Sequence, residues 1–177
     1  VEAWFTYIKE GQIGSPPSTS RQAELNAWLL DYVGELYPNR LDDHPAEVKS
    51  WLDKGADPNA KDNTGTTALM VAARWGYVAS VSLLLDRGAA VNARDRMDNT
   101  ALILASSSGS FGDIETVVVL LKRGASPRAK TKQGKTALDY AREQHHTKIV
   151  RLLEQALARH SRRSGFHHLY IHHAARS

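Results

Sequence analysis

Apolar residues fall at helical steps in short bursts along this chain, separated by polar and turn-forming residues. Leu25, Trp28, Leu29, Tyr32, Val33 and Leu36 are spaced three, one, three, one and three apart, which predicts an amphipathic helix with one buried stripe. Val78, Val81, Leu84 and Leu85 form a second stripe, and Ile114, Val117, Leu120 and Leu121 reproduce it. In a last copy Val150 and Leu153 persist, while Thr147 and Glu154 take the other two places. Val48, Trp51 and Leu52 make a shorter set behind Pro45, a residue suited to the first turn of a helix. Thr19 with Gln22 predicts a capping box for the Leu25 helix, and Tyr37-Pro38 predicts its end.

The stripes belong to a longer echo. Gly55-Ala56, Gly88-Ala89 and Gly124-Ala125 are 33 and then 36 residues apart, and Thr67-Ala68-Leu69, Thr100-Ala101-Leu102 and Thr136-Ala137-Leu138 keep the same spacing. Repetition at this period predicts a stacked array rather than one globular core. Within one period, Asp62 to Gly65 is turn chemistry, Thr67 can cap a helix from Ala68 to Trp75, and Gly76 ends it. A second helix runs from about Val78 to Arg87, where Gly88 stops it. Helices this short are unstable alone in water, so each pair needs a neighbour to cover its apolar stripe. The polar replacements Thr147 and Glu154 suit a terminal unit on which nothing stacks. The three extra residues lie in Ser106 to Gly112 and are read as a tolerated loop.

These anchors resemble the ankyrin repeat. Its Gly-x-Thr-Pro-Leu-His signature, followed after one residue by Ala-Ala, reads here as GTTALMVAA, DNTALILAS and GKTALDYAR, and its glycine-alanine loop as GADPNA and GAAVNA. The resemblance spans residues 43–156 and implies an all-α solenoid of about four helix-turn-helix units with an N-terminal helical cap. The organisation expected is an N-terminal helix and linker (1–20), a cap with an irregular first repeat (21–60), a repeat (61–93), a repeat with a three-residue insertion (94–129), a capping repeat (130–158) and a basic, His-rich, mobile tail (159–177). Val1 to Lys9 is read as the first helix and Gly11 to Ser20 as an exposed linker. The N-terminal aromatics are read as shielding the open end of the stack. Several positions depart from the signature. Its proline is Ala68, Ala101 and Ala137, its histidine is Met70, Ile103 and Asp139, and Asp98 stands at a glycine position, which predicts a strained or altered turn. His145-His146 replaces a Gly-His pair.

Composition narrows the function. The 42% hydrophobic content supports a real core, and no run of apolar residues is long enough to span a membrane. With no cysteine there is no disulfide, thiol catalysis or thiolate metal site, in keeping with a cytoplasmic protein. The missing initiator Met suggests a fragment or a processed chain. Of the 23 basic residues, Arg159, Arg162, Arg163 and Arg176 follow the last acidic residue, Glu154; this leaves 19 against 19 acidic groups, so the net charge of +4 sits in the tail. Nucleic acid is therefore not an expected partner.

No convergent catalytic set is visible, and the chain is not expected to be an enzyme. His44, His145 and His146 are scattered, Ser106 to Ser108 lack a glycine elbow, and Gly134-Lys135 lacks the upstream glycine of a phosphate loop. His168 and His172 in a helical tail would hold zinc weakly, without carboxylate help, and carry no functional weight. No cofactor, metal or small-molecule substrate is expected.

The resemblance implies a protein-binding module, expected as a monomer, whose partner meets the turn tips and the exposed side of each first helix. Transferred by register, these positions are Asn63, Thr64, Thr66, Arg74 and Trp75, then Arg96, Met97, Asn99, Ser107 and Ser108, and then Lys132, Gln133 and Lys135, with Glu143 and Gln144 behind them. Trp75 is open to two readings, a docking residue beside Arg74 and near Met97, or a ring that folds over its own helix or covers the insertion loop. Two alternatives also stand: a regulatory piece of a larger enzyme or channel, and an inhibitor or chaperone of a cognate bacterial enzyme or toxin.

Overall fold

The computed structural model describes residues 18–34, 43–108 and 114–159. Its helices are α1 (Ser18–Gly34), α2 (Pro45–Asp53), α3 (Ala68–Trp75), α4 (Val78–Asp86), α5 (Ala101–Ser107), α6 (Ile114–Lys122), α7 (Ala137–Glu143) and α8 (147–159). Helices α1, α3, α5 and α7 pack side by side as an inner layer, and α2, α4 and α6 form an outer layer behind them. The solenoid of four helix pairs expected from the repeat is therefore present, and no strand occurs among the described residues. No helix among them is long and apolar enough to cross a membrane.

The inner helices α3, α5 and α7 start for the same reason. Thr67, Thr100 and Thr136 hold extended backbone at the N-cap, and their hydroxyls accept from the N–H of Met70, Ile103 and Asp139. Asp139 completes a capping box by accepting from the Thr136 N–H at 2.8 Å. Gly76, at φ 73°, ends α3, and its N–H together with that of Tyr77 reaches back to Ala73 and Ala72. His145 repeats this in the last unit at φ 59°, its N–H donating to Arg142 O. A residue with a Cβ strains this left-handed conformation. Replacing exposed His145 by glycine should therefore raise stability by about 0.5–1 kcal/mol, after the entropy glycine gives up. Urea unfolding followed by circular dichroism checks this; an unchanged or lower midpoint contradicts it. Asp98, at φ 61°, shows the strained turn expected of it.

The core is one continuous band. Leu69, Met70, Leu102 and Ile103 of the inner helices are each 1% exposed, and Val81, Leu84, Val117, Leu120 and Leu153 are fully buried. The outer stripe is rotated from the one expected. Ile114 is exposed, whereas Ser80, Thr116 and Ile149 are buried beside Val81, Val117 and Val150. Ile114 is the first described residue of its helix and is 36% exposed. Ser80 is satisfied: its hydroxyl and N–H both donate to Asp43, which also accepts from the Ala79 N–H and so caps α4 from the preceding unit. In the last described unit Arg142 meets Glu154 at 2.9 Å, where the unit from Thr67 to Leu85 carries Ala73 and Leu85.

The N-terminal expectations are partly corrected. Ser18 to Ser20 lie in α1 and not in a linker, and Thr19 is already inside the helix. Gln22 does not serve a box with Thr19: its amide donates to Gly55 O at 2.7 Å and to Asn26 Oδ1 at 3.0 Å. Asn26 Oδ1 in turn accepts from the Asp57 N–H at 2.8 Å. The Val1 to Lys9 helix, the Tyr37-Pro38 end and residues 160–177 lie outside the described residues.

Candidate partner-binding surface

The units are joined by three ladders that repeat with the sequence. In the loops, the Asn59 amide donates to Gly88 O and its oxygen accepts from the Ala90 N–H, and Asn92 does the same with Gly124 and Ser126. At the hairpins, Lys61 reaches Arg94 O at 3.0 Å and Arg94 reaches Lys130 O at 3.3 Å. Along the outer helices, Arg87 pairs with Asp53 at 2.7 Å and Arg123 with Asp86 at 2.5 Å. These exposed ion pairs each add little stability. They do commit the charges at the ends of the outer helices.

A further pair of backbone bonds builds the surface of interest. The Arg96 N–H donates to Thr64 O at 2.9 Å and the Lys132 N–H to Met97 O at 3.0 Å. Successive hairpins thus lie edge to edge, and Gly65 is needed for the fit, since a Cβ there would meet Arg96 N at 3.2 Å. The hairpins are held from inside. Asp62 Oδ1 accepts from the N–H groups of Thr64 and Thr66 and from the Thr64 hydroxyl. Asp95 accepts from the N–H groups of Met97 and Asn99 and from the Asn99 amide. Burial raises the Asp62 pKa, but the hydrogen bonds from Thr64 and Thr66 outweigh it and hold the carboxyl below its usual range. Asp139 is likewise lowered, first by the Thr136 N–H and then by its hydroxyl.

The expected contact residues divide into two groups. Asn63, Thr64, Arg96, Met97, Lys132 and Gln133 are exposed at the hairpin tips, while Thr66, Asn99 and Lys135 are half-buried behind them. Met97 is 49% exposed, the more open of the two exposed large apolar side chains among the described residues. Lys135 pairs with Glu143 at 2.7 Å, which raises its pKa, and its ammonium lies 5.4 Å from the Tyr140 ring centroid. Arg74 and Trp75 stand at the other end of α3, about 10 Å along the axis from its start at 1.5 Å per residue. Met97 belongs to the tips, so the Arg74–Trp75–Met97 group read from the sequence spans the length of the inner helix. Arg74 is exposed and Trp75 half-buried. Ser107 and Ser108 are half-buried, and their hydroxyls donate to Leu104 O and Ala105 O. Sequence reasoning missed Lys130, exposed beside Lys132; its register with Lys61 and Arg94 was the available signal.

Among curated proteins no match emerges. The family model for ankyrin repeats matches residues 40–131 as three copies, a little over half of the chain. Its span covers α2 through α6 and the first of the two hairpin-to-hairpin junctions, so motif, helix pairing and loop ladders agree, and the chain belongs to the ankyrin-repeat family.

Proposed function

We propose that this protein is a non-catalytic, monomeric interaction module that docks a partner protein on the face made by its hairpin tips and inner helices. Ankyrin repeats are generally protein–protein interaction modules, and repeat domains of this kind are typically without catalysis. The observation that carries the proposal here is Met97. It is 49% exposed at the tip of a hairpin whose backbone is fixed on both sides, by Asp95 within the turn and by Lys132 of the next unit. An apolar side chain held open on rigid backbone loses little entropy when a partner covers it. Arg74, exposed at the far end of the inner helix, widens the same face.

Quantitative affinity capture with the whole chain tests this. Arg74→Ala with Met97→Ala is expected to weaken retention of the bound protein at least tenfold, on the order of the loss for one anchor residue. Lys122→Ala, on the outer layer, should leave it unchanged. Equal retention by the double variant and the wild type refutes the assignment of the face.

A further inference from the structure

The hairpin face carries charges of both signs, but they are not equally free to meet a partner. Its carboxylates are spent. Asp62 and Asp95 hold their own turns, Asp98 lies 3.6 Å from Arg94, Asp139 caps α7 and Glu143 pairs with Lys135. Several cations in the same rows have no such partner among the described residues. Arg96 and Lys132 are exposed at adjacent tips on either side of Met97. Lys130 is exposed too, for a reason of register: Lys61 and Arg94 each bond the hairpin that follows, and after Lys130 no further hairpin is described.

The last hairpin differs from the others in a second way. Asp62 and Asp95 stand at the position that Thr131 occupies in the last unit. Thr131 is buried at 7% exposure and its hydroxyl has no hydrogen-bond partner among the described residues. The segment from Lys130 to Lys135 therefore holds three lysines and no acid; Lys135 is ion-paired with Glu143, and Lys130 acts through space on Asp139, whose carboxylate is already held by Thr136. Because the chain from residue 1 to residue 158 has no net charge, this local excess is set by position and not by bulk composition.

We infer that the partner presents an acidic, extended segment of protein, with carboxylates against Arg96, Lys130 and Lys132 and an apolar side chain against Met97. The inference rests on the hairpin face being the docking surface. Arg96 offers a planar fork suited to a carboxylate, and the two lysines offer point charges beside it. A row of edge-linked hairpins fixes the spacing of these groups, so an extended chain can cross two tips without reordering them. Such charges set the encounter rate and the choice of partner, and two of them together add to the affinity.

A fluorescent peptide alternating Asp and Glu around one central Leu is the probe, read by anisotropy with the whole chain. Controls are the same peptide with Asn and Gln for the acids and a single-stranded oligonucleotide of similar charge. The acidic peptide should bind, the neutral one should not, and Arg96→Gln with Lys132→Gln should weaken binding about tenfold. Binding should also fall as salt shortens the screening length from about 10 Å at 0.1 M. Lys122→Gln with Arg151→Gln removes the same charge elsewhere and should have no effect. Equal binding of acidic and neutral peptides, loss with both double variants alike, or tighter oligonucleotide binding that depends on Arg96 and Lys132 would each overturn the inference. If Arg74→Ala with Met97→Ala abolishes capture of the partner while Arg96→Gln with Lys132→Gln does not, the face is right and the acidic partner is wrong. If neither affects capture, the face itself is wrong.

Discussion

Replacing Ile103 by aspartate is expected to destabilise the whole stack by about 4 kcal/mol, a large share of the roughly 5–15 kcal/mol that holds a domain folded. Ile103 is 1% exposed in α5, between α3 on one side and α7 on the other. The same register position is Met70 in the preceding unit, also 1% exposed, and Asp139 in the last. Aspartate is tolerated at 139 because that unit ends the described stack and the carboxylate accepts from the Thr136 N–H and hydroxyl. At 103 it could make the equivalent box with Thr100, returning about 1 kcal/mol. Its remaining lone pairs would still face packed apolar helices, and the loss of isoleucine burial adds to that desolvation. Ile103→Val removes one methylene and should cost only about 1 kcal/mol. Urea unfolding by far-ultraviolet circular dichroism separates the two. A cost for Ile103→Asp close to that of Ile103→Val would mean that α5 is not enclosed on both sides.

The contrast between positions 103 and 139 also shows what the sequence could and could not reveal. The helix pairs were legible because caps and stops are local chemistry: Thr67, Gly76 and Pro45 act within a turn of where they stand. The repeat supplied the rest, since a 33-residue echo places each helix against its predecessor without long-range guesswork. The buried stripe of the outer helices was misread at Ile114 because Ser80 and Thr116 look polar, and only the Asp43 carboxylate in the preceding unit explains why Ser80 can be buried. Gln22 was misassigned for a similar reason: its partner, Gly55 O, lies 33 residues away. The tip residues were found by register, yet nothing local indicates which charges are committed. Asp62 and Asp95 read as surface acids in the sequence and act as turn braces in the fold. Placing Arg74–Trp75 near Met97 failed because register says which unit a residue belongs to but not which end of the helix it faces.

Replacing Leu29 by alanine is expected to lower the stability of the whole array by about 3 kcal/mol in a single transition. Leu29 is fully buried in α1, a helix of 17 residues against inner helices of seven or eight, and a helix so unlike the others could be taken for an appendage. Its polar contacts argue otherwise. Asn59 and Asn92 each bind the backbone of the unit after them, and Asn26 with Gln22 does the same work from a helix, holding Asp57 N–H and Gly55 O. Helix α1 thus occupies the place of an inner helix in the first described unit and packs on α3. In an array held by nearest-neighbour contacts, loosening a unit that packs on its neighbour's inner helix lowers the common midpoint. An appendage would behave differently: Leu29→Ala would produce an early, separate step and leave the main transition in place. Two probes suffice, helix content for the array and the fluorescence of Trp51 in α2, the outer helix paired with α1, read in a background with Trp4, Trp28 and Trp75 replaced by Phe. Coincident transitions shifted together support α1 as a structural unit, and a split with an unmoved main midpoint rules it out.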